Sequence, residues 1–184
     1  MATANPYSLF ARVLNYPWPG EKAEVTGSVR ELTRIYPEVG EVFQPFAEYL
    51  AGISEERLQE LYTQTFEIQP LCHLDVGYVL FGEDYKRGQF LVHLKQEHEK
   101  IRNECGSELP DHLPNFLNLL ARHPDREFAG ELAREFLIPA LEKMLGGFKE
   151  KGNVYGAPLQ ALSAVLRRDY AEPAPAVAEK GNLQ

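Results

Sequence analysis

The stretch GSELPDHLPNFLNLLARHP, residues 106–124, joins a proline-bracketed Asp-His pair to a nearly uncharged apolar run. The run from Leu113 to Leu120 predicts a buried helix. Pro110 disfavours helix before it, Asp111 is a favourable N-cap, and Pro114 is tolerated in the first turn. The stretch therefore predicts a helix start, although capping explains only the aspartate of the pair.

Apolar residues recur with helical spacing on both sides of this stretch. Because no convincing strand pair and no internal repeat is present, we predict an all-α, single-domain bundle of roughly eight helices over residues 1–170. Residues 74–82, LDVGYVLFG, fit a helix or a strand by pattern alone. The Pro/Ala-rich residues 171–184 have little to bury and are predicted to be disordered. The other predicted helices cover residues 7–14, 21–36, 39–50 with a bend at Pro45, 54–66 with Ser54 as N-cap, 84–106, a long segment from Asp125 to Gly147 kinked at Pro139, and 157–170.

Composition limits the class of protein. Hydrophobic residues at 44% and charged residues at 25% are ordinary for a soluble globular chain. No stretch approaches the roughly 20 apolar residues that cross a bilayer, and the first residues lack the basic and apolar regions of a signal peptide. We therefore expect a cytoplasmic protein without direct membrane insertion. Cys72 and Cys105 are expected to be free thiols in that reducing compartment.

The charge balance limits the class of partner. The formal net charge is −8, from 19 basic and 27 acidic side chains. Nucleic-acid phosphates require clustered Lys and Arg, so no nucleic-acid partner is expected. A basic peptide suits this surface better, because opposite charge speeds encounter.

Familiar catalytic and metal-binding patterns are mostly missing from the sequence. It has no Gly-rich phosphate loop and no GxSxG nucleophile elbow. His93 and Glu97 stand at i and i+4 beside His98, but no third metal ligand is evident, so a solvated helix face explains them better. Cys72 and His73 are adjacent, where a packed cysteine is commoner than an activated thiolate.

Three segments carry a resemblance to a known family: LYTQTF (residues 61–66, followed by Pro70), RGQFLVHL (87–94) and ELPDHLPNFLNLLA (108–121). They resemble the nitrate reductase delta-subunit family, the TorD/NarJ-type chaperones that mature molybdenum-containing oxidoreductases. The segment ARVLNYP near the start is most similar to the nitrate-reductase branch. Family members tend to have an apolar residue where Thr65 stands, so the first segment departs from the pattern there.

The resemblance implies an all-α, non-catalytic protein with no cofactor of its own. Members bind the N-terminal peptide of a molybdoenzyme catalytic subunit, often a twin-arginine signal or its remnant. They hold the enzyme back from export or membrane docking until its molybdenum cofactor is installed. The expected partner is therefore the catalytic subunit of a nitrate reductase-like enzyme, as in nitrate assimilation, and a homodimer remains an open alternative.

The resemblance also implies a peptide-binding site drawn from three segments of the chain. A helix start accounts for Asp111 alone, and we expect the adjacent His112 to be partly exposed beside the helix N-terminus. The implied site residues are Asp111 and His112 of the central motif, Glu108 and Pro110 of its loop, Arg87 and Gly88 of a second element, and Tyr62 and Phe66 as apolar positions of the groove.

Two other classes of protein stay open at this point. One is a structural subunit that remains in a finished oxidoreductase complex. The other is a small hydrolase that uses Asp111 and His112 as acid–base partners, which their side-by-side placement and the missing nucleophile disfavour.

Overall fold

The computed structural model describes residues 4–149 and 152–171, and these residues form the predicted all-α structure. Residues 172–184, most of the segment predicted to be disordered, lie outside the described residues. The α-helices of the described part are α1 (Pro6–Val13), α2 (Lys22–Ile35), α3 (Gly40–Gly52), α4 (Glu55–Phe66), α5 (Val76–Phe81), α6 (Tyr85–Lys100), α7 (Leu113–Arg122), α8 (Arg126–Leu132), α9 (Ile138–Gly146) and α10 (Gly156–Asp169).

Side-chain caps start four of these helices. Asn5 accepts a hydrogen bond from the Tyr7 amide at the start of α1. Ser54 and Asp125 cap α4 and α8 as predicted, and Asp84 caps α6. These short polar side chains satisfy amides that have no partner inside the helix.

The ambiguous segment after Leu74 folds as the short helix α5, and α6 ends earlier than predicted. The predicted helix from Asp84 to Gly106 stops at Lys100, and Arg102 takes a left-handed conformation with φ of 52°. The Asn103 amide folds back onto the His98 carbonyl at 2.9 Å, which ends the helix.

The long segment after Asp125 is continuous, but it contains a π turn at Ala133–Leu137 between α8 and α9. The amide of Ile138 bonds to the carbonyl of Ala133, five residues back. The predicted disturbance at Pro139 is therefore a widened turn just before the proline, which itself occupies the first turn of α9. Such turns are rare in proteins overall, but those that occur often lie at functional sites.

The core lies where α1 packs on α2 and α7, and α10 packs on α3 and α9. Its largest fully buried side chains include Phe10, Phe43, Phe46 and Tyr155. The end of α10 is fixed by Asp169, whose carboxylate accepts the hydroxyl hydrogens of Tyr7 and Tyr36, both at 2.8 Å. Burial raises the pKa of both phenols, so they remain neutral donors.

Candidate functional site

A single antiparallel bridge between Asp75 and His112 organises the site. The Val76 amide donates to the Asp111 carbonyl, and the Leu113 amide donates to the Leu74 carbonyl, each at 2.9 Å. The bridge brings the first residues of α5 beside the first residues of α7. Two loops that are far apart in sequence therefore form one rigid surface.

Asp111 is not the N-cap of its own helix, contrary to the sequence prediction. His112 occupies that position and makes no side-chain cap bond. The Asp111 carboxylate instead accepts from the Gly77 amide at 2.9 Å, across the bridge. Asp111 thus caps the first turn of α5, because the bridge holds the carboxylate over that helix rather than over α7.

Asp111 is fully buried and incompletely paired. Its Oδ2 atom lies 3.7 Å from Nε of Arg87, too far for a hydrogen bond. Both Oδ1 of Asp111 and Nε of Arg87 are buried without a partner. Burial raises the pKa of Asp111, and the nearby charge of Asp75 raises it further. The Arg87 guanidinium lies over the Tyr78 ring, 5.2 Å from its centroid.

Gly77, which is not among the predicted site residues, is required at this point. A Cβ atom there would lie 2.8 Å from Oδ2 of Asp111 and 2.9 Å from a ring carbon of Phe90. Gly88, which the family resemblance singled out, is exposed, and a Cβ there would meet nothing within 4 Å. Gly77 therefore allows the close packing of α5, α6 and the Asp111 loop, whereas Gly88 does not take part in it.

His112 faces the opposite side of the bridge from Asp111. Its Nδ1 atom lies 3.7 Å from Oδ1 of Asp75, and its side chain is partly exposed, at 12%, as expected. The neighbouring His112 imidazole lowers the pKa of Asp75 despite the burial of that carboxyl. The two residues of the motif are adjacent in sequence but lie in different environments.

His112 opens onto a cavity of about 180 Å³ that we call the acidic pocket. It brings together four of the eight predicted site residues. They come from the first and third of the segments that carry the family resemblance, and none comes from the second, residues 87–94. Arg87 and Asp111 lie in the packed layer described above, and Gly88 is on the surface of α6. The acidic pocket is lined by Asn15, Tyr16, Tyr62, Phe66, Glu67, His73, Leu74, Asp75, Glu108 and His112.

Three carboxylates give the acidic pocket its charge. They belong to Glu67, Asp75 and Glu108, and the first and last are exposed residues without an ion pair in the described part of the chain. The C-terminal end of α4 lies beside Glu67 and adds a partial negative charge. Burial and then these same carboxylates raise the pKa of Tyr62, which keeps its hydroxyl neutral. The arrangement is suited to holding a cation.

Aromatic rings form the wall between the acidic pocket and a wider groove of about 410 Å³ along α4. Tyr16 lines both, and its ring packs edge-on against Tyr62 at 5.4 Å and Trp18 at 4.9 Å. Trp18 and Ile68 are more than half exposed. The acidic pocket therefore adjoins a surface with apolar and polar contacts.

His98 supports the loop that contains Pro110. Its Nδ1 atom accepts from the Asn103 side chain at 2.8 Å, and its Nε2 atom donates to the Pro110 carbonyl at 3.0 Å. The Asn103 oxygen accepts from Arg122 at 2.7 Å, which orients the amide. Burial lowers the pKa of His98. His98 is thus a buried neutral residue that holds the loop.

Thr65, the departure from the family pattern, has a specific polar partner. It is fully buried and accepts a hydrogen bond from the Asn153 side chain at 2.7 Å. The Asn153 side chain also accepts from the Tyr155 amide at 2.9 Å, and the Tyr155 ring packs on Phe66 at 5.0 Å. The threonine therefore fixes the segment that supports the floor of the acidic pocket.

The other chemical candidates do not form a site in the described residues. Glu97 bonds to Lys100 at 2.6 Å and lies 3.3 Å from His123, and no group of potential ligands there could hold a metal ion. Burial raises the pKa of Cys72 to about 12, so the thiol stays protonated, and both cysteines are free. Among the described helices, none is long and apolar enough to span a bilayer.

A relative found by sequence similarity is a chaperone by name. A protein from Bacillus subtilis (strain 168), named as the nitrate reductase molybdenum cofactor assembly chaperone NarJ, is 29% identical over 173 residues, which cover 87% of each chain. The resemblance to the TorD/NarJ-type chaperones is confirmed. No protein-family model matches the chain.

The fold has a match among solved structures as well. A crystal structure described as that of a redox enzyme maturation protein from Archaeoglobus fulgidus has a TM-score of 0.65 and is 19% identical, covering 91% of this chain and 95% of that one. At this identity the similarity concerns the fold alone. The name of the Bacillus subtilis relative describes an assembly chaperone rather than an enzyme, in agreement with the non-catalytic expectation.

Proposed function

We propose that this chain is a cytoplasmic maturation chaperone for a molybdenum-containing oxidoreductase. It binds the N-terminal peptide of the catalytic subunit in the acidic pocket and assists cofactor insertion before export or membrane docking. The NarJ relative supports the maturation role. The observation that carries the peptide assignment is the convergence of Tyr62, Phe66, Glu108 and His112 on one pocket with three carboxylates.

The chemistry of the acidic pocket favours an arginine side chain of the peptide. A guanidinium is planar, can bond to two carboxylates, and packs on aromatic faces. Glu67 and Glu108 supply accepting oxygens, and Tyr16 and Tyr62 supply rings beside them. The groove along α4 lies next to this position, and Tyr16 and Ile68 offer apolar contacts there to the residues that follow the basic ones in such peptides.

Asp111 and Arg87 act in this proposal as positioning residues rather than contacts. Asp111 is fully buried beneath the bridge, so a peptide in the acidic pocket does not touch it. By capping α5 it holds Asp75 and His112 at the pocket wall. The hydrolase alternative is not supported, because Asp111 is fully buried and His112 faces the opposite side of the bridge, so the two do not form an acid–base pair.

A peptide titration tests the assignment directly. The probe is a synthetic peptide with two consecutive arginines followed by an apolar segment, measured by calorimetry at low salt. Replacing Glu67 and Glu108 together by glutamine should weaken binding about tenfold, since each lost charge pair is worth up to about 1 kcal/mol. Wild-type binding should also weaken as salt rises.

A matched control separates the pocket from general charge. Glu41 and Glu48 are exposed on α3 away from the pocket, and their double glutamine variant changes the net charge equally. It should bind as the wild type does. Equal loss in both double variants would assign the attraction to net charge and contradict the pocket.

Isolation of the client separates a chaperone from a retained subunit. The immature catalytic subunit should copurify with this chain, and the finished enzyme should lack it. A stoichiometric amount of this chain in the mature oxidoreductase would make it a structural subunit instead.

A further inference from the structure

A second groove, which we call the α6–α8 groove, lies on residues that the acidic pocket does not use. It has a volume of about 460 Å³, within the range of pockets that bind side-chain clusters or small ligands. It is lined by Phe90, His93, Phe128, Glu131, Leu132, Glu135 and Phe136. Its floor is apolar and its rim is acidic.

The sequence of α8 and the π turn explains this pairing of apolar and acidic surface. Phe128, Leu132 and Phe136 recur at four-residue intervals and form the apolar stripe. Each is preceded directly by a glutamate, so a parallel acidic stripe runs beside them. These glutamates, all exposed and without an ion pair in the described residues, are Glu127, Glu131 and Glu135.

The π turn keeps this surface separate from the core. Phe136 lies inside the widened turn and lines the groove, while Leu137, the next residue, is fully buried. The Phe136 ring packs on Phe90 at 4.8 Å, which joins the two walls. The π turn therefore contributes one wall of the groove, and α6 contributes the other.

The acidic character of the groove comes from the rim and not from the buried charge nearby. Glu97 lies beneath, but Lys100 and His123 surround its carboxylate. His93 is half-exposed and lies 4.0 Å from Glu97. A ligand in the groove therefore meets the unpaired charges of Glu131 and Glu135.

We propose that the α6–α8 groove is a second docking surface that takes a basic amphipathic helix of a partner protein. An apolar stripe beside a row of lysines or arginines matches the paired stripes of α8, which is the helix-in-groove mode of recognition. A second copy of this chain fits less well, because each copy has a net charge of −8 and would bring acid to an acidic rim. The surface goes beyond the proposed peptide site, since the two share no lining residue.

A model helix tests the proposal. The probe is an 18-residue peptide of leucine and lysine with its leucines on one helical face, titrated into the full-length protein. The control probe has the same composition with its leucines distributed around the helix. The amphipathic probe should bind at least about tenfold more tightly, because only it presents a continuous apolar stripe.

Variants locate the binding surface. The double variant Glu131→Gln and Glu135→Gln removes rim charge without loss of packing, and should weaken binding of the amphipathic probe about tenfold. The variant pair on α3, Glu41→Gln and Glu48→Gln, should leave it unchanged. The pocket pair Glu67→Gln and Glu108→Gln should leave it unchanged as well, whatever happens to the arginine peptide.

Three results would overturn the proposal. They are equal binding of both probes, equal binding by the wild type and the rim variant, and the same weakening in the α3 control variant. Sedimentation of the protein alone adds a fourth criterion. If the rim variant changes its oligomeric state, a second copy covers the groove and the proposed partner is wrong.

Discussion

Replacing Asp111 separates the roles of its hydrogen bond and its charge. In Asp111→Ala the Gly77 amide loses its acceptor and stays buried, which costs about 1–3 kcal/mol. Asp111→Asn keeps an oxygen at the same place. Burial raises the pKa of Asp111, so the fold stabilises the ionised carboxylate less than water does. Replacing it by an uncharged amide should therefore cost little stability.

The magnitudes follow from these contacts. For Asp111→Ala we expect a loss of about 2 kcal/mol, and a melting temperature lower by about 4–8 °C for a chain of this size. For Asp111→Asn we expect a loss below about 1 kcal/mol. The cation left behind is accommodated, because the Arg87 side chain is 23% exposed and its guanidinium lies over Tyr78.

Urea unfolding and titration with the arginine peptide measure stability and binding on the same variants. Asp111→Asn should bind within about threefold of the wild type, whereas His112→Ala, which alters the pocket wall, should bind more weakly and melt nearly unchanged. If Asp111→Asn destabilises the fold as much as Asp111→Ala does, the carboxylate acts through its charge and the capping argument is wrong. Loss of binding in a fully stable Asp111→Asn variant would place that side chain in contact with the peptide.

Three further perturbations test the surroundings of the site. Gly77→Ala should destabilise the fold by about 1–3 kcal/mol, because its Cβ would crowd Asp111. Gly88→Ala, on the open face of α6, should stabilise the fold by about 0.5–1 kcal/mol. Thermal melts of the two variants measure both effects. Burial lowers the pKa of His98 below its usual value of 6.5, so the unfolded chain binds more protons than the folded one. The free energy of unfolding should therefore fall as pH drops below that value, with a slope of at most about 1.4 kcal/mol per pH unit. Urea titrations at several pH values should show that His98→Gln removes this part of the dependence. A chain that ends at Ala171 should melt at the wild-type temperature, and a lower value would refute the proposed domain boundary.

Local patterns predict most of the helices, and the family resemblance predicts four of the ten residues that line the acidic pocket. Apolar spacing identifies α2, and short polar caps together with apolar spacing identify α4 and α8, because these signals lie within each helix. The predicted helix after Asp84 is longer than the observed one, because the apolar pattern continues past Lys100. A fold-back of Asn103 onto His98 ends it, and a one-dimensional pattern does not contain that contact.

The rest of the site depends on contacts between distant parts of the chain. Asp75 lies 37 positions from His112, and only the bridge brings them together. Glu67 lines the acidic pocket from the end of α4, but the sequence around it indicates only an ordinary surface residue. Gly77 offered the one local signal, since a glycine inside a helical segment suggests close backbone packing. The partner of Thr65 could not be inferred because Asn153 lies 88 residues away.

The division between the two motif residues has a consequence for the proposed binding and release of a partner. Carboxylates that face the acidic pocket, such as Glu67 and Glu108, are exposed and unpaired in the described residues, so they contribute little to stability and leave the free protein folded. The groups that hold the pocket in place are backbone hydrogen bonds and the buried side chains of Asp111 and His98, which a ligand does not touch. Binding strength can therefore change with salt or with substitutions at the pocket without unfolding the protein, while changes in the supporting layer alter stability first. The adjacent residues Asp111 and His112 lie on opposite sides of that division, which is why their substitutions should give different results.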